Sequence, residues 1–169
     1  MHRLNIMRHA QAASFAEGGD KARPLTQEGI VQAKKAGEHL RTIGIEWVLC
    51  SSAIRTRQTL ENLALSRQDG SPHVDFMDSL YSGGLSTLCQ RISEIDDTIN
   101  TLLVVGHAPT IPALASQLSW NESHRDADRL RCFYPTATFS EFTLDKSWSA
   151  FVEGDLSDLD THVVRTWHP

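Results

Sequence analysis

Short apolar runs punctuate the chain, each followed by a break and then by residues at helical spacing. Leu4, Ile6 and Met7 predict a first strand that ends in Arg8-His9-Ala10. Residues 10–25 are polar and include Glu17-Gly18-Gly19-Asp20, the pattern of a loop lying over a strand end. Thr26 then suits a helix N-cap, with Glu28 in the first turn and Ile30, Ala33, Gly37 and Leu40 as an inward stripe before Gly44. Trp47 to Cys50 is continuously apolar, as expected of a strand in a buried parallel sheet. Ser51-Ser52 leads into a helix predicted over 53–65, carrying Ile54, Leu60, Leu63 and Ala64. Residues 67–72 read as a loop and Val74-Asp75-Phe76 as a short strand.

Gly83-Gly84 breaks the chain before a helix predicted over 86–97, with Leu88, Cys89, Ile92 and Ile95 apolar. Thr101 to Val105 is the clearest strand, closed by Gly106-His107-Ala108-Pro109. Pro109 suits a first helical turn, and Ile111, Leu114, Ala115 and Leu118 carry that helix onward. Residues 121–134 are polar, mixed in charge and without a periodicity that assigns them. Thr136 to Leu144 alternates and is expected to pair with Trp148–Val152 across Asp145-Lys146-Ser147 as an edge hairpin. No pattern organises the tail from 155. Strands alternating with helices, then a hairpin, predict an α/β sandwich with a mostly parallel sheet and an antiparallel edge.

Composition narrows the function classes. A chain of 169 residues suits one domain, 1–169, able to bury a core. Its net charge of −5 gives no general attraction to nucleic acid or acidic membranes, so neither is an expected partner. Cys50, Cys89 and Cys132 are widely spaced and odd in number, which argues against a disulfide framework or a zinc ribbon. With no leader-like segment and no apolar run of spanning length, a cytoplasmic protein is expected, and a monomer.

The candidate chemistry lies at strand ends. Arg8 and His9 follow the first strand, Arg55 and Arg57 the second, and His107 the TLLVV strand, so all can face one crevice. Cations gathered in an acidic chain call for an anion, and a phosphoryl group accepts bidentate arginine contacts. Helix N-termini after residues 53 and 109 offer further donors.

These residues also carry a resemblance. Arg8-His9-Ala10, Arg23-Pro24-Leu25-Thr26-Gln27-Glu28-Gly29 with Gln32-Ala33, Ser51-Ser52 with Arg55, Gln58 and Thr59, and Val105-Gly106-His107 occur in the order and spacing of the histidine phosphatase superfamily. Short length and the lack of an inserted cap make the chain most similar to the SixA-type phosphohistidine phosphatases. The resemblance implies a three-layer α/β/α, phosphoglycerate mutase-like fold. It implies His9 as nucleophile and Arg8, Arg55 and His107 as holders of the phosphoryl oxygens. Arg23 matches a position at the pocket mouth. No cofactor and no metal are implied, and the His9–His107 pair reads as phosphate-binding.

One departure bears on the substrate. Larger members supply a carboxylic acid for the leaving group, but Ala108 follows His107 and Ser82 stands about where the mutase-like Glu would be. Asp78 is the substitute on offer, and its plainer reading is a solvated surface acid. Weak acid assistance disfavours alkyl esters and suits phosphohistidine, whose P–N bond is labile. The expected substrate is therefore protein phosphohistidine, for instance on a phosphotransfer domain in signal transduction. A small-molecule phosphomonoesterase and a non-catalytic phosphoprotein-binding module are the rivals. Arg57 reads as solvated or paired, and His39, His73, His124, His162 and His168 as ordinary histidines outside any site. Cys50 reads as a core residue and the tryptophans as core or edge packing, with Trp120 also placed to flank a substrate groove. Segment 121–134 reads either as an irregular connection or as a partner-recognition surface.

Overall fold

A computed structural model describes residues 1–66 and 70–169, so the loop expected over 67–72 lies partly outside the described residues. Six strands, counted along the chain, form one sheet in the order third, second, fourth, first, fifth, sixth. β1 (His2–Arg8), β2 (Trp47–Ser51), β3 (His73–Met77) and β4 (Thr101–Gly106) are mutually parallel. β5 (Phe139–Leu144) runs antiparallel to β1, and β6 (His162–Trp167) antiparallel to β5. The fold is the expected three-layer sandwich, with a mostly parallel sheet and an antiparallel edge.

Side-chain alternation builds the layers. Leu102 and Val104 join Leu4, Ile6 and Leu49 on one face, against α4 (Leu85–Ser93), α5 (Thr110–Ser119) and α6 (His124–Cys132). Leu103 and Val105 join Met7, Val48 and Cys50 on the other, against α1 (Gln27–Leu40) and α2 (Ile54–Leu63). Thr26 caps α1 by accepting from the Gly29 N–H at 3.0 Å. Cys50 packs as a core residue, and burial pushes its thiol up to about 12. No helix of the described residues is long and apolar enough to cross a membrane.

The C-terminal third departs from the sequence reading. Trp148–Val152 is not the hairpin's second strand but a 3₁₀ turn. Its bulky apolar residues plug the core: Trp148 is 0% exposed, and its indole N–H donates to the Ile99 carbonyl at 2.8 Å. β5 pairs instead with β6, inside the tail that showed no pattern. Residues 121–134 contain α6, N-capped by Ser123, with only Ala127 and Leu130 buried. Asp78 is followed by a one-turn helix, α3 (Ser79–Ser82), and α4 stops at Ser93 rather than 97.

Gly29 joins fold to site. A Cβ there would meet the Gln11 carbonyl at 2.0 Å, within the loop that follows His9. Alanine favours a helix interior by up to about 1 kcal/mol, yet a backbone overlap of this depth outweighs it. Gly29→Ala is expected to lower stability by about 1–3 kcal/mol in urea unfolding; an unchanged midpoint would show that the loop yields freely.

Candidate active site

The parallel strands deliver their carboxyl ends to one edge. Arg8 stands opposite Gly106 and Cys50 opposite Val105, so the residues after β1, β2 and β4 emerge side by side. His9 is fixed through its backbone: its N–H donates to the Gly106 carbonyl at 2.9 Å, and its carbonyl accepts from Ala137 N–H at 3.0 Å. Gln32, Gln58 and Thr59 peg the neighbouring loop. Gln32 Oε1 accepts from Gln11 N–H at 2.9 Å, Gln58 Oε1 from Leu25 N–H at 2.7 Å, and Thr59 Oγ1 from Ala10 N–H at 3.0 Å.

All five predicted site residues, Arg8, His9, Arg23, Arg55 and His107, line one cleft of about 290 Å³ together with Gln11, Ala12, Ala108 and Thr136. The imidazoles of His9 and His107 lie 5.3 Å apart, edge to face. His9 Nδ1 is 2.7 Å from the Ala10 carbonyl, which can only accept, so Nδ1 carries the proton and Nε2 keeps its lone pair. His107 Nε2 pairs with Ser51 Oγ at 2.7 Å, tying the end of β4 to the end of β2. Arg8 Nη1 donates to the Tyr134 carbonyl at 2.9 Å. Buried nitrogens on Arg8 (Nε), Arg55 (Nε) and His107 (Nδ1) have no partner within the protein.

Burial, and then the surrounding positive charge, holds both histidines neutral. His9 is pushed down to about 3, by burial first and then by His107, Arg55 and Arg8, against the opposing Ala10 bond. His107 is pushed down to about 4, by burial and then Arg55, with Asp20 acting the other way. Between these values and the ordinary histidine pKa of about 6.5, the unfolded chain binds more protons than the folded one. Stability is therefore expected to fall as pH drops through this window, by up to about 1.4 kcal/mol per unit for each histidine. Imidazole signals followed by NMR in the free protein check the cause; midpoints near 6.5 would remove it.

Asp20 is the residue that sequence reasoning missed. Its carboxylate accepts from Tyr81 Oη at 2.8 Å, Arg23 Nε at 2.9 Å and Arg55 Nη2 at 3.2 Å, and its carbonyl accepts from Arg55 Nη1 at 2.9 Å. The Tyr81 and Arg23 hydrogen bonds lead in pulling its carboxyl down to about 2. One signal was available: Asp20 stands three residues before Arg23, a spacing at which an acid and a base meet across one turn.

The other candidates lie elsewhere. Asp78 pairs with Lys21 at 2.6 Å and with Ser52, contacts that hold its carboxyl low, so it is ionised at neutral pH and outside the cleft. Arg57 donates Nε to the Ser52 carbonyl at 2.9 Å and covers the Phe76 ring. Trp120 stacks on His124, and residues of 121–134 line a separate cavity of about 520 Å³ with Val163 and His168. His39 packs against Phe139 and Trp167, while His73 pairs with Asp75.

Comparison with known proteins accords with this geometry. Residues 4–80 match the model of the histidine phosphatase superfamily, branch 1. A Nakamurella multipartitia protein assigned as the phosphohistidine phosphatase SixA is 34% identical, with a TM-score of 0.79 over 99% of this chain and 96% of that one. The chain belongs to the histidine phosphatase superfamily. An uncharacterized protein of Mycobacterium tuberculosis is 34% identical over 94% of this chain and all of its own length. The protein histidine phosphatase SixA complexed with tungstate shares the fold at 22% identity, with a TM-score of 0.75 over 99% of this chain and 97% of that one. The superfamily match covers the segments that carry Arg8, His9, Arg23 and Arg55, while His107 lies beyond it, just after β4.

Proposed function

We propose that this chain is a phosphatase that removes a phosphoryl group from protein phosphohistidine through a covalent intermediate on His9. The observation that carries the reading is the His9 ring: Nδ1 is committed to the Ala10 carbonyl, and Nε2 is an unprotonated nucleophile in a cleft walled by Arg8, Arg55 and His107. Phosphoryl transfer mainly requires in-line positioning, in which the neighbouring His107 imidazole shares, and charge neutralisation, which Arg8 and Arg55 supply. In the first step the Nε2 lone pair forms a bond to phosphorus as the substrate's P–N bond breaks, and the departing imidazole takes its proton from solvent. In the second step water adds its oxygen to phosphorus, the P–Nε2 bond breaks, and the water's proton is released.

The choice of substrate follows from what the cleft lacks. Ala108 and Ser82 provide no carboxylic acid, and Asp78 is ionised by its contacts with Lys21 and Ser52. An alkoxide leaving group goes unaided, whereas a phosphohistidine imidazole leaves readily. The likeness to the Nakamurella protein supports the same substrate class. On this reading residues 1–169 form one phosphatase domain, and its partner is a cytoplasmic phosphotransfer domain in signal transduction. The test is phosphate release in EDTA from a histidine-phosphorylated phosphotransfer domain, a sugar phosphate and an aryl phosphate. Release from the first, with the sugar phosphate untouched, is the expected result. Hydrolysis of the esters alone would move the assignment to a small-molecule phosphomonoesterase.

A further inference from the structure

Outside the proposed chemistry stands Asp20, an acid placed among the very arginines that would receive an anion. We infer that Asp20 is a positioning residue: its carboxylate, locked by Tyr81, holds Arg55 and Arg23 in the orientation that receives a phosphoryl group. The inference rests on the proposed reading of the cleft as a phosphoryl site.

Three observations carry it. Arg55 presents both terminal nitrogens to Asp20, Nη1 to the carbonyl at 2.9 Å and Nη2 to the carboxylate at 3.2 Å, which fixes the plane of its guanidinium. Arg23 is held from two sides, by Asp20 Oδ1 at 2.9 Å and the Ala13 carbonyl at 2.7 Å. Tyr81 then closes the arrangement, with its hydroxyl on Asp20 Oδ2 at 2.8 Å and its ring near Arg55 at 5.9 Å and edge-on to His107 at 5.8 Å. Three residues from three parts of the chain, Arg23, Arg55 and Tyr81, thus depend on one carboxylate.

Asp20 acts from beside the cleft rather than as an anion filling it. Arg23 and Arg55 line the cavity, and Asp20 does not. Charge accounting agrees with a permanent role. With both histidines neutral, Arg8, Arg23 and Arg55 against Asp20 leave two positive charges, which match a phosphoryl dianion. Asp20 is also 54% exposed by its side chain, where an ion pair adds little to stability, so its effect falls on geometry.

The test compares Asp20→Asn, Tyr81→Phe and the double variant with the parent. Binding of inorganic phosphate is measured by calorimetry, kcat/KM on an aryl phosphate, and stability by urea unfolding. Asp20→Asn is expected to weaken phosphate binding and to lower kcat/KM, each by ~10-fold, and Tyr81→Phe by ~3-fold. The double variant should be no worse than Asp20→Asn alone, because both act through one contact. Asp20→Glu should recover part of the loss, and unfolding midpoints should stay together. Tighter phosphate binding by Asp20→Asn would make the carboxylate a competing anion and overturn the inference. Effects that multiply in the double variant, or unchanged values in both singles, would overturn it as well. A parent that binds phosphate but hydrolyses nothing refutes the proposed function and leaves the calorimetric arm to decide this one. A parent that does not bind phosphate refutes both.

Discussion

A His9→Ala variant is expected to release phosphate about 10⁴-fold more slowly than the parent, and to unfold at nearly the same urea concentration at neutral pH. The loss is large because no second nucleophile lines the cleft at the His9 position. Water must then attack the substrate directly, with only the positioning of Arg8, Arg55 and His107 left to help. The fold survives because His9 is held by backbone bonds, to Gly106 and from Ala137, which alanine retains. Removing an imidazole that is pushed down to about 3 also removes part of the acid sensitivity, so the variant should lose less stability than the parent below pH 6. Phosphate binding should persist, since the arginines remain. A variant that binds phosphate and matches the parent in every assay would instead support a non-catalytic phosphoprotein-binding module.

Arg55→Lys should lower kcat/KM by about 10²-fold although the charge is kept. The Arg55 side chain is only 7% exposed, and it uses two terminal nitrogens at once on Asp20. A lysine ammonium is a point charge that cannot span the carbonyl and the carboxylate while also facing a phosphoryl oxygen. Each charged hydrogen bond lost in such a site costs roughly 1.5–3 kcal/mol, or one to two powers of ten in rate. Asp20 should nevertheless stay well below the usual carboxylate range in this variant, because Tyr81 and Arg23 are its leading partners. Steady-state kinetics on an aryl phosphate, with a carboxyl titration by NMR, check both halves. Activity within threefold of the parent would mean that charge alone, not the guanidinium fork, is what the position supplies.

The side chains of the cleft were legible because strand ends are legible. β1, β2 and β4 are short, apolar and interrupted at once, and residues just past a parallel strand have little choice of direction. That logic brought Arg8, His9, Arg55, Arg57 and His107 to one edge, and the structure places all of them except Arg57 in one cleft. Asp20 and Tyr81 could not be found that way. Asp20 meets Arg55 across 35 residues and Tyr81 across 61, so neither local pattern nor strand order records the pairing.

The errors at the C-terminal end have equally local causes. α6 buries only Ala127 and Leu130, too sparse a stripe to register as helical periodicity among its charged neighbours. β6 is an edge strand with no fully buried residue, so its alternation is faint. Trp148, Ala150 and Phe151 look like strand residues because they are apolar. Their burial comes from plugging the core through a 3₁₀ turn, a tertiary role that leaves no period in the sequence.

The central claim is that the phosphoryl group passes through His9. Its most direct test is to mix the protein with a phosphohistidine or aryl phosphate substrate, quench within milliseconds in alkali, and map the label by mass spectrometry. The account predicts phosphate on the His9 imidazole, stable in base and lost in acid, building up before free phosphate appears and absent from His9→Ala. Turnover with no label on His9, or with label on another residue, would contradict it.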